Sequence, residues 1–544
     1  MKNMQFKILA LSLAAVFNAG CANASGLTPV PSANPKAAGM VAPNVLSPEL
    51  METVVARGAM TLENPTAEIS HYGYDNNGSM LPTNPATFQE ASKTEPDKNA
   101  YLVLRHQVGA DANYDYGQHF LFQGHETGTA GYVTRVNLDA DGAHRVTLLA
   151  DRDVTGNKLP TFDGITWDPF AQRLLLTAEA GNAGGVWQLP AKFDPAGTVT
   201  ATDLSGALGR GGYEGIQNDR DGNVWIVEDV GGKSGALNNF AKQPNSFVYR
   251  FLPKDKTDLT RGGKLQALQV MSLAFPGQAI AFHTGQADAD ILSQDMKDLH
   301  TYGNTFDTNW VTLHDTDVDG NAPFDANALA KAKQATPFKR PENGQFRPGS
   351  QFREFYFDET GDTNLLTQAP DHGGFGSVMK LVQASPSAGK GKLSMFYKGN
   401  PAHSGFDNVT FLSWDKIVFV EDAGDTLHSQ RNAFDSAFML DVNHDYSDGT
   451  DPVRILALGR DPSATLDSWI GTLGIAFQNE GDNEITGIHM SDGDPTASGL
   501  LGAKLPQPFH DGWRMFYTQQ HGDNQTFEIL PAGGCDRNGV FDRF

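Results

Sequence analysis

A phrase that occurs twice in the chain constrains its fold more than any other feature. Each copy begins at a carboxylate, forms a short strand and a turn, and continues as an apolar strand that ends in Glu-Asp. The two copies span residues 214–229 and 407–422, and looser copies span 163–179 and 342–359. A unit of two strands and a turn that recurs at wide spacing is typical of a β-propeller.

The composition agrees with a chain of many short strands. Its 544 residues include 58 glycines and 29 prolines, and apolar stripes with a helical period are scarce. We therefore predict an all-β fold in which residues 99–544 form a single β-propeller of six or seven blades. The strand rhythm breaks between about 289 and 350, which predicts a mostly irregular insertion over one face of the propeller.

Residues 1–24 have the pattern of a signal peptide. Lys2 and Lys7 precede the apolar stretch from Ile8 to Phe17, and the segment ends in Ala-Asn-Ala, which fits the cleavage rule. Cleavage there predicts a periplasmic or secreted protein whose residues 25–98 form an N-terminal arm. Attachment of a lipid to Cys21 is the weaker alternative. No later segment reaches the ~18 consecutive apolar residues that a membrane span requires.

The charge and the cysteine count exclude several partners and sites. The formal net charge is -23, so neither nucleic acid nor an anionic membrane surface is an expected partner. The chain has 2 cysteines, and Cys535 is the only thiol that remains once the signal peptide is removed. An internal disulfide and a thiolate metal cluster are therefore both excluded for the mature chain.

Carboxylates at the strand ends predict a cation site on the axis of the propeller. The first strand of each blade lines the central channel, so residues at matching strand ends meet near the axis. Without a counter-charge these carboxylates would repel one another, and a bound cation removes that cost. The Asp-Gly pair within the phrase has a simpler explanation, because it is typical of hairpin turns.

Three histidines near strand ends extend this prediction to a transition-metal site. His283, His403 and His489 each lie beside small residues, which permits a close approach to an ion. Imidazole combined with carboxylate suits Zn, Mn, Fe or Co, whereas calcium prefers oxygen ligands. One such histidine is more often structural than a ligand, but three in a shared context favour a metal site. Weaker candidates for the site are His119, His125, Glu126, His372, His428 and His521.

Short motifs give the chain a resemblance to a known family. The PhoX-type family of exported bacterial phosphatases resembles it in the motifs Tyr-Glu214-Gly-Ile, Arg340-Pro-Glu342-Asn-Gly and Phe-Asp407-Asn-Val, each followed by a strand. The spacing of His403, Glu421 and His489 is more similar still to the β-propeller phosphotriesterases, also called haloalkylphosphorus hydrolases. The resemblance covers the chain from about residue 100 to residue 530.

The resemblance implies a binuclear metal centre on the propeller axis that cleaves phosphoesters. It implies that Glu421 bridges two divalent ions, which would be Mn, Zn, Co or Fe, and it leaves room for structural calcium. The further ligands would be His283, His403, His489 and either Glu228 or Glu214. The PhoX phosphatases resemble this chain but place a cysteine on iron. Since Cys535 lies in a C-terminal tail, the centre built from histidine and glutamate is favoured.

The predicted function is that of an exported phosphoesterase that hydrolyses organophosphate triesters through a metal-bridging hydroxide. Glu421 and Arg340 are the predicted catalytic residues, although a packing role for Arg340 is an equal alternative. Phe282 and Trp310 are candidates for a leaving-group pocket. One alternative function is a PhoX-like phosphomonoesterase or diesterase with the same metals. The other is a non-catalytic propeller, in which calcium joins the blades and one face binds a partner.

Overall fold

The computed structural model describes residues 26–30, 34, 43–74, 93–195, 197–459, 484–521 and 524–533. The predicted signal peptide and both cysteines lie outside the described residues. The described residues form mostly β structure, as the sequence predicts.

The first half of the chain begins with two short strands, β1 (Val45–Leu46) and β2 (Leu50–Ala56). The first meander contains β3 (Pro96–Val103), β4 (His119–His125), β5 (Val133–Asn137) and β6 (Val146–Ala150). The short strand β7 (Arg152–Asp153) precedes the second meander, which contains β8 (Ile165–Asp168), β9 (Arg173–Ala178), β10 (Gly185–Leu189) and β11 (Thr200–Asp203). Helix α1 (Ser205–Leu208) follows, and then the third meander: β12 (Tyr213–Asn218), β13 (Val224–Glu228), β14 (Val248–Pro253) and β15 (Gly263–Val270).

The second half begins with a connecting segment that contains α2 (Ala287–Ile291), α3 (Gln294–Leu299), β16 (Phe306–Asp315), α4 (Thr316–Asp319) and α5 (Ala326–Ala332). The fourth meander contains β17 (Gly344–Phe346), β18 (Glu354–Glu359), β19 (Ser377–Gln383) and β20 (Lys390–Lys398). The fifth contains β21 (Phe406–Phe411), β22 (Lys416–Glu421), α6 (Gly424–Arg431), β23 (Ser436–Asp441) and β24 (Val453–Ala457). The last contains β25 (Ile485–Ser491), β26 (Arg514–Gln519) and β27 (Gln525–Pro531). Single turns of 3-10 helix lie at Gly181–Ala183, Leu259–Arg261, Tyr446–Asp448 and Ala497–Gly499.

The first strands of the meanders form a closed ring. Strand β3 contacts β8, and the contacts continue through β12, β17, β21 and β25 back to β3. Each meander extends outward from this ring through antiparallel neighbours. Strand β16 pairs with both β15 and β20, so it joins the third and fourth meanders into one sheet of nine strands. The segment predicted as an insertion therefore contributes helices and a long strand.

The N-terminal segment completes the last meander. That meander has three strands of its own among the described residues, and β2 pairs with β27 as the fourth. Strand β1 likewise adds to the outer edge of the fifth meander by pairing with β24. Leu50 in β2 packs in a buried cluster that includes Phe527 and Ile529. Because this strand comes from the start of the described chain and its partner from the end, the pairing locks the ring closed.

The glycines of the repeated phrase permit the close packing of the ring. A Cβ atom on Gly164 would lie 2.2 Å from the carbonyl oxygen of Glu214, and one on Gly215 would lie 2.8 Å from that of Glu342. The backbone N–H of Gly215 donates to the same Glu342 oxygen at 2.8 Å. Only glycine fits where two backbones approach this closely. The Asp-Gly and Glu-Gly pairs therefore place acidic residues of neighbouring meanders side by side.

No described helix is both long enough and apolar enough to cross a membrane.

The role of β2 predicts a difference between two neighbouring substitutions. Leu50 is 7% exposed, whereas Met51 in the same strand is 46% exposed. We expect Leu50→Ala to lower the free energy of unfolding by about 3 kcal/mol, because it leaves a cavity in the core. Met51→Ala is the matched control and should change it by less than about 0.5 kcal/mol. Denaturant unfolding followed by fluorescence measures both values. Equal, small losses would mean that the β2–β27 pairing contributes little to stability.

Candidate metal centre

Within the described part of the chain, each of the first strands carries a carboxylate at or just before its start. The members of this set are Asp97, Asp163, Glu214, Glu342, Asp407 and Glu484. Since the first strands form a closed ring, these side chains meet at one end of it. The position within the strand, together with the ring, explains why residues far apart in sequence converge.

A second set of polar residues follows directly after the second strands. Its acidic members are Glu126, Glu179, Asp229 and Asp422, and the fourth and sixth meanders carry Thr360 and Gln520 at the same position. An antiparallel pair places the end of its second strand beside the start of its first. The two sets therefore lie at the same end of the ring, and we call their acidic members the axial carboxylates.

Three groups of axial carboxylates have oxygen atoms within 4.8 Å of one another. The groups are Asp97–Asp163–Glu214, Glu126–Asp163–Glu179 and Glu214–Glu342–Asp407. Asp163 belongs to two of the groups and Glu214 belongs to two. These two residues therefore occupy the places from which one carboxylate could bridge two cations.

The core of this arrangement is buried and short of hydrogen-bond donors. Both carboxylate oxygens of Asp163, Oε2 of Glu214 and Oδ2 of Asp407 are buried without a hydrogen-bond partner. Burial and the neighbouring negative charges raise the pKa values of Asp163, Glu214 and Asp407 well above their usual range. Burial raises the pKa of Asp97 to about 6. Unpaired oxygens at this density are costly in a protein interior unless a cation binds them.

Two cationic side chains lie among the axial carboxylates. The Arg340 guanidinium donates to Asp229 at 2.7 and 2.9 Å and lies 3.5 Å from Glu342. Lys98 is buried beside Asp97 and donates to the side-chain oxygen of Asn343. Burial lowers the pKa of Lys98 to about 8, although the surrounding aspartates oppose that shift. These side chains neutralise only part of the charge, so the residues fit divalent cations held by oxygen ligands.

Glu228 and Glu421, predicted as metal ligands, direct their carboxylates into their own sheets. Glu421 accepts from the backbone N–H groups of Ser404 and Ser436, both at 3.1 Å, and pairs with Arg431 at 2.8 Å. Glu228 accepts from the Tyr249 hydroxyl at 2.7 Å and from Asn327 at 3.0 Å. Burial raises the pKa of Glu228 to about 7.

Strand geometry accounts for this orientation. Successive side chains of a strand point to opposite sides. In the Glu-Asp endings, the aspartate therefore faces the axis when the glutamate faces the sheet. Asp229 follows this rule, since its carboxylate holds Arg340 beside Glu342.

The three predicted histidine ligands each contact different residues. His403 accepts from or donates to the Tyr397 hydroxyl through Nδ1 at 2.8 Å, and its ring packs against Phe438. The Nδ1 of His283 lies 2.7 Å from Asp290. His489 is buried in β25, its Nε2 has no hydrogen-bond partner, and burial together with the charge of Lys98 lowers its pKa to about 3.

Of the predicted metal ligands within the described part of the chain, Glu214 is the one that belongs to these groups, and it is a member of two of the three. Roles for Glu228, His283, His403, Glu421 and His489 as ligands stay predictions. Among the weaker candidates, Glu126 joins a group. Sequence reasoning missed Asp97 and underrated Glu179, because Asp97 is followed by Lys-Asn rather than by Gly-Ile. The position of each residue relative to a first or second strand is the signal that identifies them.

Comparisons with known proteins give the family and support the fold. A family model described as "Alkaline phosphatase PhoX" matches residues 194–496, which is more than half of the chain. A search of curated proteins finds no match. Among solved structures, the chain is similar to "Pseudomonas fluorescens PhoX in complex with vanadate, a transition state analogue", with a TM-score of 0.53 and 11% identity over 93% of this chain and 98% of that chain. At this identity the likeness shows a shared fold.

A second solved structure is a hypothetical selenium-binding protein from Sulfolobus tokodaii. It has a TM-score of 0.33 and 8% identity over 83% of this chain and 96% of that chain. A likeness at this level carries no argument.

The contacts of Glu214 and Glu421 predict opposite consequences of the same chemical change. We expect Glu214→Gln to lower the content of bound divalent metal, because its carboxylate belongs to two groups. We expect Glu421→Gln to retain the metal but to lower the free energy of unfolding by about 2 kcal/mol, because the buried Arg431 would lose one of its two carboxylate partners and keep only Asp435. Elemental analysis after gel filtration and denaturant unfolding measure the two effects. Loss of metal from Glu421→Gln at unchanged stability would establish Glu421 as a ligand instead.

Proposed function

We propose that this chain, which belongs to the alkaline phosphatase PhoX family, is an exported hydrolase of phosphoric esters that uses the axial carboxylates to hold divalent metal ions. The observation that carries the proposal is the set of buried carboxylate oxygens without hydrogen-bond partners around Asp163 and Glu214. Metal ions bound there would polarise a phosphoryl oxygen and make water more acidic. The predicted signal peptide supports export.

In this proposal Asp163 and Glu214 hold the metal ions jointly with the other members of the three groups. Sharing by two groups suits each of them to a bridging position. Thr360 and Thr486 donate to Glu342 and Asp97, which fixes the orientation of those two carboxylates. Two or more divalent ions of the kind that carboxylates favour, such as Mn or Ca, would balance the charge.

Arg340 is proposed to orient the phosphoryl group. Asp229 holds its guanidinium by two hydrogen-bond contacts, so the side chain is fixed beside Glu342 at the edge of the carboxylates. The backbone of Arg340 has φ 60°, a conformation that is uncommon for residues with a side chain. A preoriented guanidinium reduces the entropy that binding must overcome.

The axial end of the ring is proposed to be one end of a six-bladed propeller. Six first strands contact one another in a closed ring, and each begins a meander. In this interpretation each meander is a blade, and β2 is the outer strand that completes the last blade. The mouth of the site is then formed by the connections that follow the second strands.

Two substrate classes fit the centre. A phosphotriester is uncharged, so it approaches many carboxylates without electrostatic cost, and we propose an organophosphate triester as the substrate. A phosphomonoester is the second candidate, because Arg340 and the nearby Lys242 offer positive charge at the edge of the carboxylates. The family resemblance supports either ester.

We expect the effect of one substitution on the free energy of unfolding to depend on whether metal is bound. In EDTA we expect Asp163→Asn to raise the free energy of unfolding by about 1 kcal/mol, because folding no longer has to bury this carboxylate among its acidic neighbours or protonate it. With Mn²⁺ or Ca²⁺ present, the same variant should gain less stability from the metal than the unmodified chain does. Thermal unfolding with and without metal measures this difference. A variant that is destabilised equally in both conditions would contradict a metal site at Asp163.

A panel of three esters tests the substrate class. With each divalent metal, the hydrolysis of an aryl phosphomonoester, diester and triester is measured on the same preparation, with Glu214→Gln as the control. We expect metal-dependent hydrolysis of the triester, which Glu214→Gln reduces by at least about 100-fold, because the metal supplies most of the rate enhancement. Activity confined to the monoester would reject the triester proposal. Absence of any metal-dependent hydrolysis would reject the proposal that the chain is a phosphoric ester hydrolase.

A further inference from the structure

Two long connections leave the ring at the end that carries the axial carboxylates. Residues 229–247 join β13 to β14, and residues 360–376 join β18 to β19. The first connection begins at Asp229, which holds Arg340. The second begins at Thr360, whose hydroxyl donates to Glu342. Both connections therefore start next to the axial carboxylates, at the end of the ring where the proposed mouth of the site lies.

These connections expose large apolar side chains. Leu237 is 81% exposed, Leu366 is 58% exposed and Phe240 is 40% exposed. We call these three residues the mouth patch. Single exposed apolar residues are ordinary on a protein surface, but a group of them beside a functional site indicates a contact with a ligand.

Hydrogen bonds hold the backbone that carries the mouth patch. The N–H of Phe240 donates to the side chain of Gln368 at 3.3 Å, which ties one connection to the other. The N–H of Leu237 donates to Asp288 at the start of α2, at 3.1 Å. The N–H of Leu365 donates to Gln430 in α6 at 2.7 Å. The apolar side chains are thus presented by anchored segments that also contact each other.

The mouth patch adjoins the carboxylates through Lys242. This residue follows Phe240 by two positions, and its N–H donates to Asp362 at 3.0 Å. Burial lowers the pKa of Lys242, and the charges of Arg340 and Asp229 lie near enough to act on it in opposite directions. The chain between Phe240 and Lys242 spans at most ~7 Å. A ligand whose phosphorus lies at the axial carboxylates can therefore reach the patch with an organic group.

We infer that the mouth patch binds the apolar organic group of the substrate, so the enzyme prefers phosphoesters of alkyl or aryl alcohols that are long enough to reach Leu237 and Phe240. This inference rests on the proposed function and deepens it, since it names the alcohol. Contact with the patch removes apolar surface of both ligand and protein from water. The patch lies on one side of the mouth, on the connections of the third and fourth meanders, so it would also select the direction in which the ester lies.

A chain-length series tests this inference. The series is made in whichever ester class proves active, with ethyl and hexyl groups and each ester kept below its micelle concentration. We expect kcat/KM for the hexyl ester to exceed that for the ethyl ester by about 10-fold, because an open patch removes only part of the alkyl chain from water. The double substitution Leu237→Ser with Phe240→Ser should bring the two esters within about 2-fold, because it should lower kcat/KM for the hexyl ester more than for the ethyl ester.

Leu505→Ser is the matched control. Leu505 is 53% exposed, and it lies in the connection between β25 and β26, at the opposite end of the ring from the carboxylates. This variant should keep the preference for the hexyl ester. Equal kcat/KM values for ethyl and hexyl esters in the unmodified enzyme would overturn the inference and leave the proposed function intact.

Binding separates the two hypotheses when turnover fails. The dissociation constants of methylphosphonate and hexylphosphonate are measured by calorimetry with Mn²⁺ present. Tighter binding of hexylphosphonate that is lost in the Leu237 and Phe240 variant supports the patch, whether or not the chain is a hydrolase. Equal binding, or a patch variant that changes only the oligomeric state in gel filtration, would overturn the inference, since the patch would then be an interface between copies of the chain.

Discussion

Repulsion among the axial carboxylates is the constraint on which the rest of the structure depends. Asp163, Glu214 and Asp407 are buried together with unpaired oxygens, which opposes closure of the ring. Two features of the fold oppose that repulsion. Close backbone contacts at Gly164 and Gly215 hold neighbouring first strands together. The pairing of β2 with β27 then prevents the ring from opening. The contacts between strands thus offset the destabilisation that the axial carboxylates cause.

The alternation of side chains along a strand divides the acidic residues into two classes. Carboxylates at the starts of first strands and directly after second strands face the axis. The glutamates one residue earlier, Glu228 and Glu421, face the sheets and accept hydrogen bonds from Tyr249 and from Arg431. A shift of one residue therefore decides whether an acidic side chain faces the axis or is held within its own meander.

The same alternation explains how much the sequence could predict. The repeated phrase correctly indicates a mostly β fold, and the expectation that its leading carboxylates meet at the axis agrees with the positions of Asp163, Glu214, Glu342 and Asp407. The sequence could not show which residue of each Glu-Asp ending faces the axis. The answer depends on the alternation of side chains along the second strand and on bulges at the start of the first strand that pairs with it. Glu179 ends a looser copy of the phrase, whereas the residues around Asp97 have diverged too far for the phrase to be recognised, so the ring of first strands reveals the equivalence of Asp97.

A symmetric scaffold here carries an asymmetric distribution of charge. The second set of axial residues is acidic in the first, second, third and fifth meanders, whereas the fourth and sixth carry Thr360 and Gln520. Two of the three carboxylate groups draw only on the first three meanders. The closest groups of carboxylate oxygens, and with them the proposed metal ions, therefore lie more toward the first three meanders. The connection that carries Leu366 starts at Thr360, the uncharged residue at this position in the fourth meander, which suits the apolar contact that we propose for Leu366.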